Sequence, residues 1–362
     1  MLPATERVLL GPGPSLISPR VMRAMAAPML SHLDPQFVEL MDDLRSRLLR
    51  VFQAPEGSFA CAVSGTGTAA MEVAIANLVH PGTTALCIVT GYFGDRLAEM
   101  CRRYGATVRR IDVEWGRACD PALVEAALNE SRADLVCVVH AETSTGVLNP
   151  VQAIARAARA HGAMIVVDAV TSLGAMPLDV TGWGLDVVYS CSQKGLGAPS
   201  GVAPIVFTPA ALAKRVTCRS FYFDLTLLED YWLRRKYHHT MCASLIYALR
   251  EALVVIEEEG LEARWQRHQR HHELLTTGLE AMGLSLLPPE GERLWTLHAV
   301  RVPDGIDEAA VRRALLQRFN IEIGAGLGPL AGKIWRIGLM GTSSTEALVT
   351  LCLAALQRTV RA

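Results

Sequence analysis

No pair among the nine cysteines of this 362-residue chain has the C-x-x-C spacing of a zinc ribbon or a dithiol redox centre. Cys61, Cys87, Cys101, Cys119, Cys137, Cys191, Cys218, Cys242 and Cys352 are scattered, most of them inside apolar runs. They read as small core residues in a reducing compartment rather than as a disulfide framework. No stretch approaches the roughly 18 uninterrupted apolar residues of a membrane span. The opening residues Met1 to Ser15 hold neither a basic start nor a long apolar core, so no secretory signal is predicted and a cytoplasmic protein is expected. Charge of one sign is missing too. The 35 Lys and Arg residues face 36 Asp and Glu residues, for a net charge of -1 and a pI near 6.8. That balance argues against nucleic acid or an acidic membrane as a partner. There is no internal repeat and no low-complexity tract.

What is present is a 51% apolar composition on a chain long enough for about two domains. Short runs rich in Val, Ile and Cys, without polar alternation, fall at Ser58–Val63, Thr84–Val89, Thr107–Val113, Asp134–His140, Ala163–Val170, Leu185–Ser190 and Gly201–Phe207. Such runs predict strands buried on both faces, as in a parallel sheet. Helix patterns lie between them. Asp120-Pro121 and Asn149-Pro150 each set a capping side chain before a proline, predicting helices over Pro121–Asn129 and Pro150–His161. Another is predicted over Asp95–Tyr104, ending at Gly105, and a long one carries Leu245, Leu249, Leu253 and Ile256 at helical spacing up to Gly260. The rest mixes a charged helix (Glu262–Gly278), strand-like segments (Leu294–Val302, Ile321–Ile323, Ile334–Ile337) and helices (Asp307–Phe319, Thr345–Arg358). The expected fold is α/β: an N-terminal segment 1–20, a large doubly wound, mostly parallel domain 21–258, and a smaller α+β domain 259–362.

Three constellations carry chemistry. Ser64-Gly65-Thr66-Gly67-Thr68 precedes a helix predicted from about Ala69 to Val79, and its glycines and free helix-start N–H groups suit a phosphate. Gly65-x-Gly67-x-x-Ala70 also satisfies the loose dinucleotide fingerprint, although the next strand ends at Val89-Thr90-Gly91 without the acid that such a unit wants. A plain tight turn stays open as well. Second, Asp168 follows four apolar residues and needs a partner, either a protonated ring nitrogen or an ordinary salt bridge or cap. Third, Lys194 follows the next apolar run amid Ser192, Gln193, Gly195 and Gly197. Both residues then project from strand ends into one crevice, where open α/β sheets bind ligands. A lysine there can form a Schiff base with an aldehyde and, once freed, shuttle a proton.

With these landmarks, and with His140-Ala141-Glu142-Thr143-Ser144-Thr145-Gly146, Tyr237-His238-His239-Thr240 and the stretch Gly324–Gly338, the chain resembles the class V aminotransferases, fold-type I pyridoxal-phosphate enzymes. Within the family it is most similar to the alanine–glyoxylate and serine–glyoxylate enzymes. The resemblance implies that Lys194 carries pyridoxal 5'-phosphate and moves the substrate proton, and that Asp168 holds the pyridinium. Phe93 would stack on the ring, where relatives often have tryptophan, with Val170 on the other face. Thr143 would bond the ring's phenolic oxygen, and Thr66, Gly67, Thr68 and Gln193 the phosphate. Tyr237 and Thr240 would reach the neighbouring subunit's phosphate in a homodimer. Arg336 would clamp the substrate carboxylate, and Gly13 would lie near the substrate. The reaction implied is transamination from alanine or serine to glyoxylate or another 2-oxo acid. Ureidoglycine as donor, or a lyase or desulfurase chemistry, are the alternatives; desulfurases usually have a His-Lys pair, whereas Gln193 precedes Lys194. His32 lies in a segment that borders the substrate in relatives, but a plain loop is expected. No metal is expected: His268, His271 and His272 read as a solvated helix face, and His238-His239 adds only a weak suggestion of one.

Overall fold

The computed structural model describes residues 7–360; the outermost residues of the two terminal segments expected above lie outside that range. Seven strands form the central sheet: β1 (Phe59–Gly65), β2 (Thr84–Val89), β3 (Thr107–Asp112), β4 (Leu135–Val139), β5 (Met164–Asp168), β6 (Val187–Tyr189) and β7 (Gly201–Phe207). Their spatial order is β1-β7-β6-β5-β4-β2-β3, parallel throughout except for β7, which runs antiparallel to both neighbours. The buried strands are the runs without alternation, since helices cover both faces of the sheet. The edge strand β3 is half-exposed, and its Arg110 pairs outward with Asp95 and Asp112.

This topology removes the dinucleotide reading. In such a unit the glycine-bearing strand is central and parallel to the next strand in sequence. Here β1 lies at the sheet edge against antiparallel β7, far from β2.

The helices that matter below are α1 (Gly67–Leu78), α2 (Tyr92–Arg103), α3 (Pro121–Glu130), α4 (Val151–Ala160), α5 (Ala243–Glu259) and α6 (Leu261–Ala281). Asp120 caps α3 as expected, accepting from the Ala122 N–H at 2.9 Å. Asn149 does not cap α4, which begins at Pro150 with no side-chain cap. Its amide is instead a buried strut. Nδ2 donates to Thr90 Oγ1 and to the Val139 carbonyl, both at 2.8 Å, and Oδ1 accepts from the Cys119 N–H at 3.0 Å. Three segments at the strand ends are tied by this one side chain, which satisfies buried groups that would otherwise be unpaired. Asn149→Ala leaves those groups buried and unpaired, so a loss of about 2–4 kcal/mol is expected in denaturant unfolding.

Beyond α6 a three-stranded antiparallel sheet, β8 (Leu297–Arg301), β9 (Gly324–Ala325) and β10 (Ile334–Gly338), has β10 at its centre. It builds a second apolar core with Trp335, Ile337, Leu315 and Leu356. Leu10 belongs to this second core although it lies near the start of the chain. Val8 and Leu9 pair in parallel with Ile321 and Glu322, and the Gly338 N–H donates to the Leu10 carbonyl at 2.8 Å.

The expected solvated histidine face on α6 is not observed. His268 is fully buried beside the Arg264 carbonyl, and His272 stacks on buried His298 with ring centroids 5.0 Å apart. The helix lies between the two cores, so its charged residues pair within the fold, as Arg264 and Arg267 do with Glu259, and burial presses His272 down to about 4.

Candidate active site

The carboxyl ends of β2, β4, β5 and β6 open on one crevice, at the point where the chain leaves β2 for the sheet edge and returns to the other side as β4. Ligand sites of open α/β sheets form at such a reversal. A cavity of about 190 Å³ lies there, lined by Thr66, Gly67, Thr68, Met71, Phe93, Arg96, Val139, Ala141, Thr143, Asp168, Val170, Gln193 and Lys194. Nine of the thirteen residues singled out from the sequence thus meet in one place.

Asp168 ends β5. Its carboxylate accepts from the Val170 N–H at 2.9 Å, and no ion pair to it is present among the described residues. Burial pushes it up to about 7. Lys194, on the loop after β6, is almost enclosed, and burial holds its amine below the ordinary lysine range. The ammonium donates to the Pro12 carbonyl. Gly13 is needed beside it: a Cβ there would stand 2.5 Å from Lys194 Nζ, at a φ of +106° that side chains rarely adopt. The Lys194 loop is braced from below by Arg264, whose Nη2 donates to the Gly195 carbonyl at 2.8 Å while Nε donates to Gly174 at 2.8 Å.

On one side of the cavity α1 begins at Gly67 with no side-chain cap, leaving its first N–H groups open to an acceptor. Gly67 carries no side chain because a Cβ would strike Val170 Cγ2 at 2.8 Å. Gln193 Oε1 is buried without a hydrogen-bond partner among the described residues. On the other side, Phe93 is the second residue of α2, which starts three residues earlier than the sequence pattern predicts. Thr143 Oγ1 and Thr171 Oγ1 are 2.5 Å apart.

Arg336, in β10, is buried but is not a wall of the cavity. Its Nη1 donates to the Thr143 carbonyl at 3.2 Å and its Nε to the Ala325 carbonyl at 2.6 Å, so it abuts the wall that Thr143 forms. Burial lowers it to about 10. Tyr237 and Thr240 stand apart: both are exposed, on the segment between the helix Leu225–Arg234 and α5. His32 packs beside Tyr237 with ring centroids 5.4 Å apart.

The sequence reading missed Arg96. Its guanidinium lies 5.0 Å from the Phe93 ring centre and donates to Thr68 Oγ1 at 2.9 Å, joining the two sides of the cavity. The available signal was its position one helical turn after Phe93. Cys87, Cys101 and Cys137, distant in sequence, bring their thiols within 4.8 Å of one another in the core between β2, β4 and α2.

The family model described as aminotransferase class-V matches residues 8–340. A solved alanine–glyoxylate aminotransferase from Nostoc sp. superposes with a TM-score of 0.96 at 47% identity, covering 99% of this chain and 97% of that one. The (S)-ureidoglycine–glyoxylate transaminase of Bacillus subtilis is 37% identical over 97% of this chain and 90% of its own length. The alanine–glyoxylate aminotransferase of Drosophila melanogaster is 35% identical over 98% and 93% respectively.

Proposed function

Because the chain belongs to the class-V aminotransferases and works with pyridoxal phosphate, we propose that it moves the amino group of a small amino acid, alanine first, to glyoxylate or a similar 2-oxo acid. The observation that carries this reading is the meeting of Lys194 and Asp168 at neighbouring strand ends around one cavity.

The residues fit the cofactor. Asp168 is a buried carboxylate with no cationic partner, Gln193 Oε1 is a buried acceptor awaiting a donor, and the start of α1 is an uncapped anion cradle that a Cβ at Gly67 would fill. Pyridoxal phosphate supplies an electron-withdrawing ring that stabilises negative charge at the substrate Cα. Asp168 holds the proton on the ring nitrogen that makes the ring withdrawing. Lys194, whose amine burial holds below the ordinary lysine range, takes the proton from Cα and returns it on the far side of the reaction. Thr66, Gly67, Thr68 and Gln193 fix the phosphate, Phe93 and Val170 hold the ring between them, and Thr143 bonds its phenolic oxygen. Arg336 meets the substrate carboxylate as a planar fork, with its orientation fixed by the Thr143 and Ala325 carbonyls. Gly13 leaves room beside the lysine for the substrate to enter.

Alanine is put first among donors because the Nostoc sp. structure, 47% identical to this chain, is an alanine–glyoxylate aminotransferase. Tyr237 and Thr240, exposed and away from their own chain's cavity, complete the phosphate site of a second copy in a homodimer. The nine free cysteines suit a reducing compartment such as the cytoplasm, and no described helix is long and apolar enough to cross a membrane. The two apolar cores support the division into a large part, 21–258, and a small part, 259–362.

A donor-by-acceptor screen tests the assignment. With glyoxylate as acceptor, kcat/KM for alanine is expected to exceed that for (S)-ureidoglycine and for larger amino acids. Preference for (S)-ureidoglycine would replace the donor, and no transamination with any 2-oxo acid would refute the reading.

A further inference from the structure

Glu142 has no part in the roles above, yet it is fully buried one residue from Thr143. Its surroundings are unusual for a core glutamate. Oε1 accepts from the Ser144 N–H at 3.1 Å and from the Ser144 hydroxyl at 2.5 Å. Across the crevice, the Gly94 N–H donates to Oε2 at 3.1 Å and the Phe93 N–H to Oε1 at 3.4 Å. The Tyr92 N–H donates to Ser144 Oγ at 2.9 Å. Helix α2 has no side-chain cap of its own, because its N-cap is Gly91. The orphan donors of its first turn are therefore met by two side chains from the tight turn 142–146. Gly91 must be glycine for this approach, since a Cβ there would stand 2.6 Å from Glu142 Cγ.

Glu142 also acts on charge. Burial raises its pKa, whereas the four donors oppose that and favour the ionised form. The same turn reaches Arg336, whose Nη1 donates to the Thr143 carbonyl at 3.2 Å. The charged groups turned toward this region are Arg336 from β10, Asp168 from β5 and Lys194 from the loop after β6; Arg96 from α2 adds a positive field at Asp168.

We propose that Glu142 is a positioning residue of the site: its carboxylate closes the N-terminus of α2 from outside the helix and fixes the turn whose next carbonyl, that of Thr143, orients Arg336. It thereby sets the ring of Phe93 and the direction of the carboxylate clamp. One tight turn then serves three functions, since Glu142 fixes Phe93, the Thr143 carbonyl orients Arg336, and the Thr143 hydroxyl faces the cavity. This inference rests on the roles given to Phe93 and Arg336 above.

Glu142→Gln is the test, because the amide keeps the shape, removes the charge and turns an N–H₂ group toward N–H donors. Two measurements are read. The dissociation constant of pyridoxal phosphate, followed by fluorescence quenching of the apo protein, is expected to rise about tenfold through loss of charge-assisted hydrogen bonds. The KM for the carboxylate substrate is expected to rise severalfold, with kcat changed less, because the turn whose Thr143 carbonyl orients Arg336 is no longer held. A purely structural glutamate would lower the melting temperature and leave the cofactor constant and KM in place. Ser144→Ala, which removes only one arm of the cap, is expected to shift the cofactor constant in the same direction by less, and it decides the question if the Gln variant does not fold. Unchanged cofactor affinity and an unchanged KM in a folded variant overturn the proposal. Failure of the underlying reading looks different: the wild type itself would bind no pyridoxal phosphate, or would turn over normally without Lys194.

Discussion

Lys194→Ala is expected to reduce turnover of alanine and glyoxylate by about 10⁴-fold or more, since it removes both the attachment point and the proton carrier. The protein around it gives the reason that no neighbour substitutes. The amine is enclosed, its loop is fixed by Ser15 and Arg264, and no other lysine lines the cavity. Burial holds the amine below the usual lysine value, so more of it is neutral near neutral pH and able to accept a proton. The variant is expected to fold and to bind pyridoxal phosphate noncovalently through the phosphate cradle. Borohydride treatment should attach the cofactor irreversibly to Lys194 in the wild type and to nothing in the variant. Wild-type rates in the variant would end the mechanism.

Asp168→Asn is expected to move activity and stability in opposite directions. Activity falls by about 10²–10³-fold, the usual scale for one electrostatic contact made at the reacting group. The apo protein, by contrast, is stabilised at alkaline pH. The Asp168 carboxyl titrates near 7 when folded, above its ordinary 3.8, so the folded chain holds that proton more tightly than the unfolded chain. The resulting stability is complete below about pH 4 and is lost as pH rises through 7, to a total of about 4 kcal/mol. Asparagine has no such charge to bury. Melting of the two apo proteins between pH 5 and pH 9 should therefore show the wild type falling behind the variant as pH rises. With pyridoxal phosphate bound, the ring nitrogen partners the carboxylate and the wild type should regain the lead. An apo wild type whose stability is flat over this range would contradict the account.

The buried strands were legible because a strand covered on both faces has no polar alternation to disguise it. Thr84–Val89 and Gly201–Phe207 fall where the runs place them. The direction of β7 was not legible, since an apolar run reads the same whether it pairs parallel or antiparallel. The start of α2 was missed for a nonlocal reason: Gly91 offers no cap, and the residues that meet the first N–H groups lie in the turn 142–146. Asn149 looked like a cap from its neighbour Pro150, but three partners on other loops outbid one local N–H. The α6 histidines misled because a charged helix reads as solvated until its packing between two cores is known. The site residues were largely readable, because strand ends gather them whatever the loops do. Arg96 and Glu142 were not, since each matters through a contact with a distant segment.

The pairing of Val8 and Leu9 with Ile321 and Glu322 has a consequence for how the chain is made. During translation Val8, Leu9 and Leu10 leave the ribosome long before Ile321, Glu322 and Gly338 exist, so the central sheet can assemble with Ser15 on the Lys194 loop while the residues before it have no partner strand. A nascent chain stalled before residue 321 would therefore carry a formed sheet with Val8 and Leu9 still unpaired.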